Sequence, residues 1–498
     1  MEDIISYLAE YFIPKIFELK LEYYKNPTSL ADFAIATKTE TDKLGREILQ
    51  LSIQEMDKLI KDLPTRKRKW VVDRKADGRQ LLTTLGRISF SRVLYKSKSE
   101  VDENGKPLYS YLLDDLMSLS PNQEMTEDVM ANIYKEAVQT SYRKAGEEAT
   151  GIEGVSKQTV KNQLHKLKFP KNFQIPEVKK EVEYLYIDAD EDHYHLQFKE
   201  KRGDLERNEF GRKLNGGITK LAYVFEGIEP EAPKSKRNRL IGTHYFSRGD
   251  EQNSKEFWAE VFEYVEATYD TSKIKKLYIN ADGGTWIKSG YRGLADVTFV
   301  LDEFHLSKYV LKMTGHMKDS QDDAKTEIYD CIRNKKKSDF LEIVERLKGC
   351  TDSEKIQAKI EKASQYISSN WMAAKYRLRK SESVKACSAE GHVYHILSSR
   401  MSTQAMGWSK LGAGKMAHLR EYYYNDGDML ELAKFQKEEL PMAAGAEEVV
   451  LSATAVLESE KTNRTKTMNE YGKYAERFHS NLSTQSQKRI MFYLNGKI

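Results

Sequence analysis

Cysteine is scarce in this sequence, and no apolar stretch is long. The three cysteines, Cys331, Cys350 and Cys387, form no Cys-x-x-Cys pair and no zinc-knuckle spacing. That excludes a disulfide framework and points to a reducing, cytoplasmic setting. No apolar run approaches the ~20 residues that cross a bilayer, so no membrane partner is expected. The start, MEDIISYLAEYFIPKIF, is acidic and helix-patterned, which does not fit a secretory signal. An excess of one charge is also missing. Lys and Arg total 80 against 76 Asp and Glu, and the net charge of +4 does not by itself argue for nucleic acid.

What is present is a chain of 498 residues, enough for several domains. Its basic residues are clustered. Arg66, Lys67, Arg68 and Lys69 are consecutive, and further runs lie at 234–239, 335–337 and 375–380. Runs of this kind neutralise phosphates, although each taken singly also fits a solvated face.

The rest of the chain is organised around Glu183–Gln197, which reads EYLYIDADEDHYHLQ. Residues 184–190 alternate with the two-residue period of a strand. Leu185, Ile187 and Ala189 fall on one face, and Tyr186, Asp188 and Asp190 on the other. A second alternating run, 193–199, predicts a hairpin with a very short turn. Carboxylates crowded at the end of a core strand repel one another, and burial disfavours their ionisation. A divalent cation relieves that cost, and a solvated acidic turn avoids it. The D-x-D-x-D spacing also opens a calcium loop of the EF-hand kind. Here the glycine position is His193 and the closing-glutamate position is Lys199, so that reading fails.

The periodicities predict a mixed α+β chain in successive regions. Residues 1–65 read as helical, with Leu44, Ile48, Leu51, Met56 and Ile60 spaced three to five apart. Residues 66–120 hold the basic run and a small β element. Residues 121–175 fit a helix-turn-helix, with Thr126 and Ser156 as N-caps and glycines between. Ser156, Lys157, Gln158 and Lys161 would then face DNA; an ordinary capped helix is the alternative. Residues 181–310 follow the order β-β-β, helix, β, helix, β of the ribonuclease-H-like fold. In that order the strand ends carrying Asp188, Asp190 and Asp282 are neighbours, and Gly283 and Gly284 suit a tight turn there. Residues 311–385 read only as helices, an all-helical insertion. Residues 386–425 close the core, with Glu390 in the first turn of a helix and His392 and His395 able to share its face. Residues 426–498 are charged and helical.

Four motifs then carry a family resemblance. Asp188-Ala-Asp-Glu-Asp-His, Asp282-Gly-Gly-Thr-Trp-Ile-Lys, Leu301-Asp-Glu-Phe-His-Leu and Ala389-Glu-Gly-His-Val-x-His-x-Leu-Ser-x-Arg stand in the order found in transposases of ISLre-type bacterial insertion sequences. Those transposases are similar in plan to the Mutator-like group. The resemblance covers residues 66 to about 420. Two places depart from it: Ala281-Asp-Gly-Gly stands where Gly-Asp-Gly-Ala is usual, and Met401-Ser-Thr-Gln-Ala-Met where a Ser-Ser-Arg-Pro-like run is usual.

The resemblance implies a DDE transposase that cleaves phosphodiester bonds at element ends and joins 3′-hydroxyls to target DNA. It implies Asp188, Asp282 and Glu390 as catalytic metal ligands. Both Asp188 and Asp190 lie on the same strand face; Asp188 follows the apolar run directly and is taken as the first acid, with Asp190 as the alternative. Asp302 and His305 become an accessory pair, and His392, His395 and Arg400 lie near DNA. Two Mg2+ ions, roughly 3.5–4 Å apart, would clamp the attacking and leaving oxygens, and Mn2+ would substitute. The partners implied are double-stranded DNA and further copies of the chain on it, in a bacterial nucleoid. A nuclease or resolvase without strand transfer, and a non-catalytic DNA-binding derivative, are the competing classes.

Overall fold

The computed structural model describes residues 4, 7–102, 104–171, 173, 175–197, 207, 215–291, 297–379, 381, 383–404, 406–437 and 445–459. The chain divides into two compact units, one of Met1–Met130, Thr150–Glu153 and Lys437–Ile498, the other of Ala131–Ala149 and Gly154–Gln436.

In the first unit, α1 (Ile13–Lys25) and α2 (Leu30–Asp62) precede a short helix α3 (Pro64–Lys69). Pro64 both ends α2 and opens α3, because a proline tolerates the first helical turn and not the interior. Three antiparallel strands follow: β1 (Trp70–Thr83), β2 (Gly86–Val101) and β3 (Pro107–Ser110). Gly86, at φ +104°, closes the tight β1–β2 connection, a conformation that favours glycine. After α4 (Leu112–Leu116), residues 446–459 return as a helix. Its Ala446, Val449 and Ala453 join Ile60, Trp70, Leu81, Phe90 and Leu113 in one core. The stretch read as a separate C-terminal region is therefore shared out, since α17 (Met429–Phe435) belongs to the second unit. Residues 460–498 lie outside the described residues.

In the second unit, α5 (Glu127–Gln139) leads to α6 (Tyr142–Glu147) and α7 (Lys157–Lys166). A five-stranded sheet follows, built from β4 (Tyr184–His195), β5 (Gly216–Phe225), β8 (His244–Gly249), β9 (Lys276–Ala281) and β10 (Val297–Leu301). Two short strands, β6 (Gly227–Pro230) and β7 (Asn238–Ile241), pair with each other. The order across the sheet is β10-β9-β4-β5-β8. β4, β5 and β8 are antiparallel, whereas β4, β9 and β10 are parallel. The parallel strands are joined through α8 (Ser254–Thr268) and α9 (Thr285–Tyr291). The sheet is mixed, and the unit is a mixed α and β structure.

No turn parts residues 184–190 from 193–195, so the predicted hairpin does not form there; residues 198 and 199 lie outside the described residues. Residues 184–195 are one strand, whose partner is β5. Asp-Glu-Asp contains no glycine or asparagine to favour a tight turn, and the alternation of faces runs on without a break. Asp192 turns inward and accepts the hydroxyls of Ser398 (2.7 Å) and Ser402 (2.9 Å), while Tyr194 is buried. β7 and β8 are parted at Gly242, at φ +62°.

One face of the sheet carries Leu185, Ile187 and Ala189 into a core with Phe257, Val261 and Trp286. The other face carries Tyr186, Asp188 and Tyr223, so the polar face is the one left for chemistry. Beyond β10 come helices alone: α10 (Glu303–Thr314), α11 (Gln321–Asn334), α12 (Lys337–Gly349), α13 (Glu354–Ser369) and α14 (Trp371–Arg379). They share a core of Leu306, Val310, Ile328, Cys331, Phe340 and Ile360. The chain then returns to the sheet through α15 (Ala389–Val393), a wider turn at Tyr394–Ser398, and α16 (Lys410–Tyr424).

Candidate active site

Two parallel strands, β9 and β10, end in register beside Ala189, where β4 runs on toward His195. Ala189 of β4 pairs with Ala281 of β9, and Ala281 with Leu301 of β10. The next residue on each strand is an aspartate: Asp190, Asp282 and Asp302. Their carboxylates therefore emerge side by side at the C-terminal edge of the sheet. Burial pushes the Asp190 carboxyl up to about 6, and the facing charges of Asp282 and Glu191 push the same way. Each carboxylate is tethered on one side. Asp190 accepts from the Glu191 amide (2.9 Å), and Asp282 accepts from the Gly284 amide (2.8 Å).

Asp302 is the N-cap of α10 and accepts from the amides of Phe304 and His305. Its carboxylate also meets His305 Nδ1 at 2.9 Å. That bond first, then the nearby Asp190 and Asp282, raises the His305 pKa, and the same bond helps to hold the Asp302 carboxyl low despite its burial. The i, i+3 pair is thus fixed by helix capping and turned toward the other acids.

Asp188 is placed differently. It is fully buried, and both its oxygens are occupied: Asn280 Nδ2 donates to one (2.6 Å), and Tyr223 OH (2.8 Å) and the Ser388 amide (2.9 Å) donate to the other. Arg377 of α14 closes the far side through Asn280 Oδ1 (2.8 Å). Asp188 therefore holds the strand β9 and the head of α15 and does not face the row of acids. Sequence parity could not separate Asp188 from Asp190; burial and hydrogen bonding do.

Glu390 lies exposed in the first turn of α15, two residues beyond the Ser388 that Asp188 grips. Its side chain makes no hydrogen bond or ion pair with a described residue. His392 and His395 do not share a face. His392 is turned in against Tyr223 and meets Tyr245 OH at 2.9 Å, and burial lowers its pKa to about 4. His395 is exposed, because the wider turn from Tyr394 shifts the helical period.

Several residues around the acids carried no sequence signal of their own. Trp286 Nε1 donates to Glu191 (2.6 Å), Tyr366 OH of α13 donates to the Asp282 carbonyl (2.5 Å), and Asn370 packs against Gly283. Gly283 is at φ +85°, and a Cβ there would come 2.8 Å from the Asn370 amide oxygen. Only Trp286 lay inside a recognisable motif. The other two come from helices far along the chain.

Among the described residues, no three His, Cys, Asp or Glu side chains already stand together as a metal cage. The donor chemistry nonetheless fits a hard divalent cation. Asp190 and Asp282 are neighbouring carboxylates, each with an oxygen free of any hydrogen bond to a described residue, and neither forms an ion pair with a described lysine or arginine.

The residues read as DNA contacts divide into two groups. On α7, Ser156 caps the helix by accepting from the Thr159 amide (3.1 Å), Val160 and Leu164 point inward, and Ser156, Lys157, Gln158 and Lys161 are exposed. In the 66–69 run, Arg66 is buried, donates to the Lys61 carbonyl and lies over the Tyr95 ring. Lys67 and Lys69 pair with Asp62 and Glu448, and Arg68 is exposed. Arg400 is also interior, donating to the Ala137 carbonyl (3.0 Å) and stacked on Trp408. Both guanidiniums are thus buried and donate to carbonyl oxygens, and Arg400 also lines a cleft beside α7.

Among the described residues no helix is long and apolar enough to cross a membrane. Residues 24–439 match an uncharacterised protein family, UPF0236. One UPF0236 protein of Caldanaerobacter subterraneus subsp. tengcongensis is 36% identical over 431 residues, 86% of this chain and 85% of the relative. Another from that organism is 35% identical over 431 residues, covering 86% and 85%. Among solved structures, the Drosophila P element transposase strand transfer complex is weakly similar, at 10% identity and a TM-score of 0.24, over 61% of this chain and 93% of that one. The Mos1 strand transfer complex is similar at 12% identity and a TM-score of 0.14, over 52% and 80%.

Proposed function

The chain belongs to the UPF0236 family, and we propose that it is the DNA transposase of an insertion sequence. The observation that carries this reading is the row of Asp190 within β4 and Asp282 and Asp302 just beyond the ends of the parallel strands β9 and β10. The strand order β8-β5-β4-β9-β10, with a helical insertion before the closing helix, supports a ribonuclease-H-like core. The name of one relative gathers eleven loci of a single bacterium, a copy number that suits a mobile element.

Asp190 and Asp282 would hold Mg2+, or Mn2+ in its place, with Glu390 as the third acid. Two such ions supply Lewis-acid activation of the attacking hydroxyl and stabilise the leaving oxygen. The chain's own residues do the rest. Gly284 N–H and the Glu191 amide aim the carboxylates. Asp302 holds His305 in position to donate to a phosphate oxygen beside the acids. Asp188 acts as an anchor, tying β4 to the segment that bears Glu390. DNA would lie along the exposed face of α7, with α6 and α7 as a helix-turn-helix, and several copies of the chain would assemble on the element ends.

The test uses purified protein, Mg2+ and duplex DNA carrying the element's own ends. Nicked ends and joined products are the expected outcome. Cleavage without joining would leave a nuclease, and DNA binding with neither would leave a non-catalytic derivative.

A further inference from the structure

A cleft of about 520 Å3 lies beside α7, lined by residues of α6, α7 and the Met406–Gly412 segment. Its rim holds Arg143, Lys157 and Lys161, and its described lining contains no Asp or Glu. None of these cations makes a hydrogen bond or ion pair with a described residue. Three unneutralised cations around one concavity raise the local potential for an anion.

The wall is rigid and aromatic. Trp408 is held by its backbone N–H to the His195 carbonyl (2.8 Å), by the Gln197 N–H on its own carbonyl (2.8 Å), and by its indole N–H to Met401 (2.9 Å). The Arg400 guanidinium lies 4.9 Å from the Trp408 ring on one side, and Tyr142 meets the ring edge-on at 5.9 Å. The Tyr142 hydroxyl, although buried, has no hydrogen-bond partner among the described residues. A buried hydroxyl left unpaired in a cleft wall is a donor without its acceptor.

From this we infer that the cleft receives one unpaired nucleotide of bound DNA, with its phosphate on Arg143, Lys157 and Lys161 and its base against the Tyr142 wall. The volume lies within the ~300–1,000 Å3 of small-ligand sites, which admits a nucleotide and excludes a base pair with its backbones. A cationic rim over an aromatic wall is the combination by which proteins hold unstacked bases. The inference rests on DNA being the substrate proposed above.

The experiment uses the full chain with Asp282→Asn, so that cleavage does not consume the probe. Fluorescence anisotropy compares a blunt duplex with the same duplex carrying one unpaired 2-aminopurine nucleotide at its end. The extended duplex should bind about tenfold tighter, and the 2-aminopurine emission should change on binding. Tyr142→Phe removes an unpartnered hydroxyl, so the melting temperature should hold while the preference for the extended duplex falls at least about threefold. Gln158→Trp, which crowds the mouth of the cleft, should reduce the same preference, and Lys157→Ala with Lys161→Ala should weaken both DNAs. Equal affinity for the two duplexes, or a preference unchanged by both Tyr142→Phe and Gln158→Trp, overturns the inference and leaves the transposase reading standing. Failure of either duplex to bind overturns both.

Discussion

Asp190 and Asp282 stand one residue beyond Ala189 and Ala281, which pair across the parallel strands β4 and β9. The Asp282 charge helps to raise the Asp190 pKa, whereas Asp188, two residues earlier on the same face, is enclosed by Asn280, Tyr223 and Ser388. Two acids on one strand face thus have different surroundings. Asp190→Asn and Asp282→Asn should each lower cleavage by orders of magnitude with an unchanged melting temperature, because a ligand is lost and no packing is. Asp188→Asn should instead destabilise by about 1–3 kcal/mol, since an amide N–H would face the donors that the carboxylate accepts. Cleavage assays paired with thermal unfolding separate the two. An inactive, fully stable Asp188→Asn together with an active Asp190→Asn would reverse the assignment.

The sequence made the rows of this site visible without fixing their contents. The alternation at 184–190 places Leu185, Ile187 and Ala189 on the core face, where they are. It also placed Asp188 and Asp190 together, because parity records a face and not a neighbour. Which acid is enclosed depends on Tyr223, Asn280 and Arg377, brought in from β5, β9 and α14. The hairpin was misread because a strand continuing through Asp-Glu-Asp needs Ser398 and Ser402 to satisfy Asp192, and they lie about two hundred residues away. The burial of Arg66 is not legible because a basic run shows its charge and not its surroundings, and that of Arg400 because a motif gives its place in the chain and not its neighbours.

Tyr366 links the helical insertion to the site. Its hydroxyl donates to the carbonyl of Asp282, and its ring stacks on Tyr309 with centroids 3.7 Å apart. Tyr366→Phe keeps the stacking and removes the bond, which should cost about 0.5–1.5 kcal/mol of stability. If the bond also aims the Asp282 loop, Mn2+ affinity measured by calorimetry should fall several-fold in the variant. Unchanged metal affinity would confine Tyr366 to holding the insertion in place.

Acid should loosen the second unit through His244. This ring stacks on Tyr264 with centroids 4.2 Å apart, and burial lowers its pKa to about 4. An unfolded histidine titrates near 6.5, so between the two values the unfolded chain binds more protons. The contribution is complete above about pH 6.5 and is lost as the pH falls toward 4. From pH 7 to pH 5 the loss should be about 2 kcal/mol. Urea unfolding at both pH values, repeated with His244→Phe, checks it: the variant should show a smaller drop by about that amount. An equal drop in both proteins would place the acid sensitivity elsewhere.

Glu390 carries the sharpest remaining question, because its position admits two explanations of very different size. A glutamate in the first turn of a helix complements the helix dipole for up to ~1 kcal/mol. Its exposure and its lack of any polar contact with a described residue fit that account. The same features suit a ligand that engages only when metal and DNA are bound, since an exposed carboxylate costs nothing to leave unpaired in water. Two neighbours favour the second account. Asp188 and Tyr223 hold Ser388, and through it the start of α15, against the sheet that bears Asp190. Gly391, with nothing near its missing side chain, leaves open space beside Glu390. Glu390→Gln removes charge and keeps shape. If Glu390 only complements the dipole, the variant should cleave within about threefold of the unmodified protein and melt slightly earlier. If it is a ligand, several kcal/mol of transition-state stabilisation disappear and the rate falls by orders of magnitude, with no change in the melting temperature of the metal-free protein. We expect the larger effect. A rate within threefold would leave Asp302, already third in the row, as the acid that completes the site.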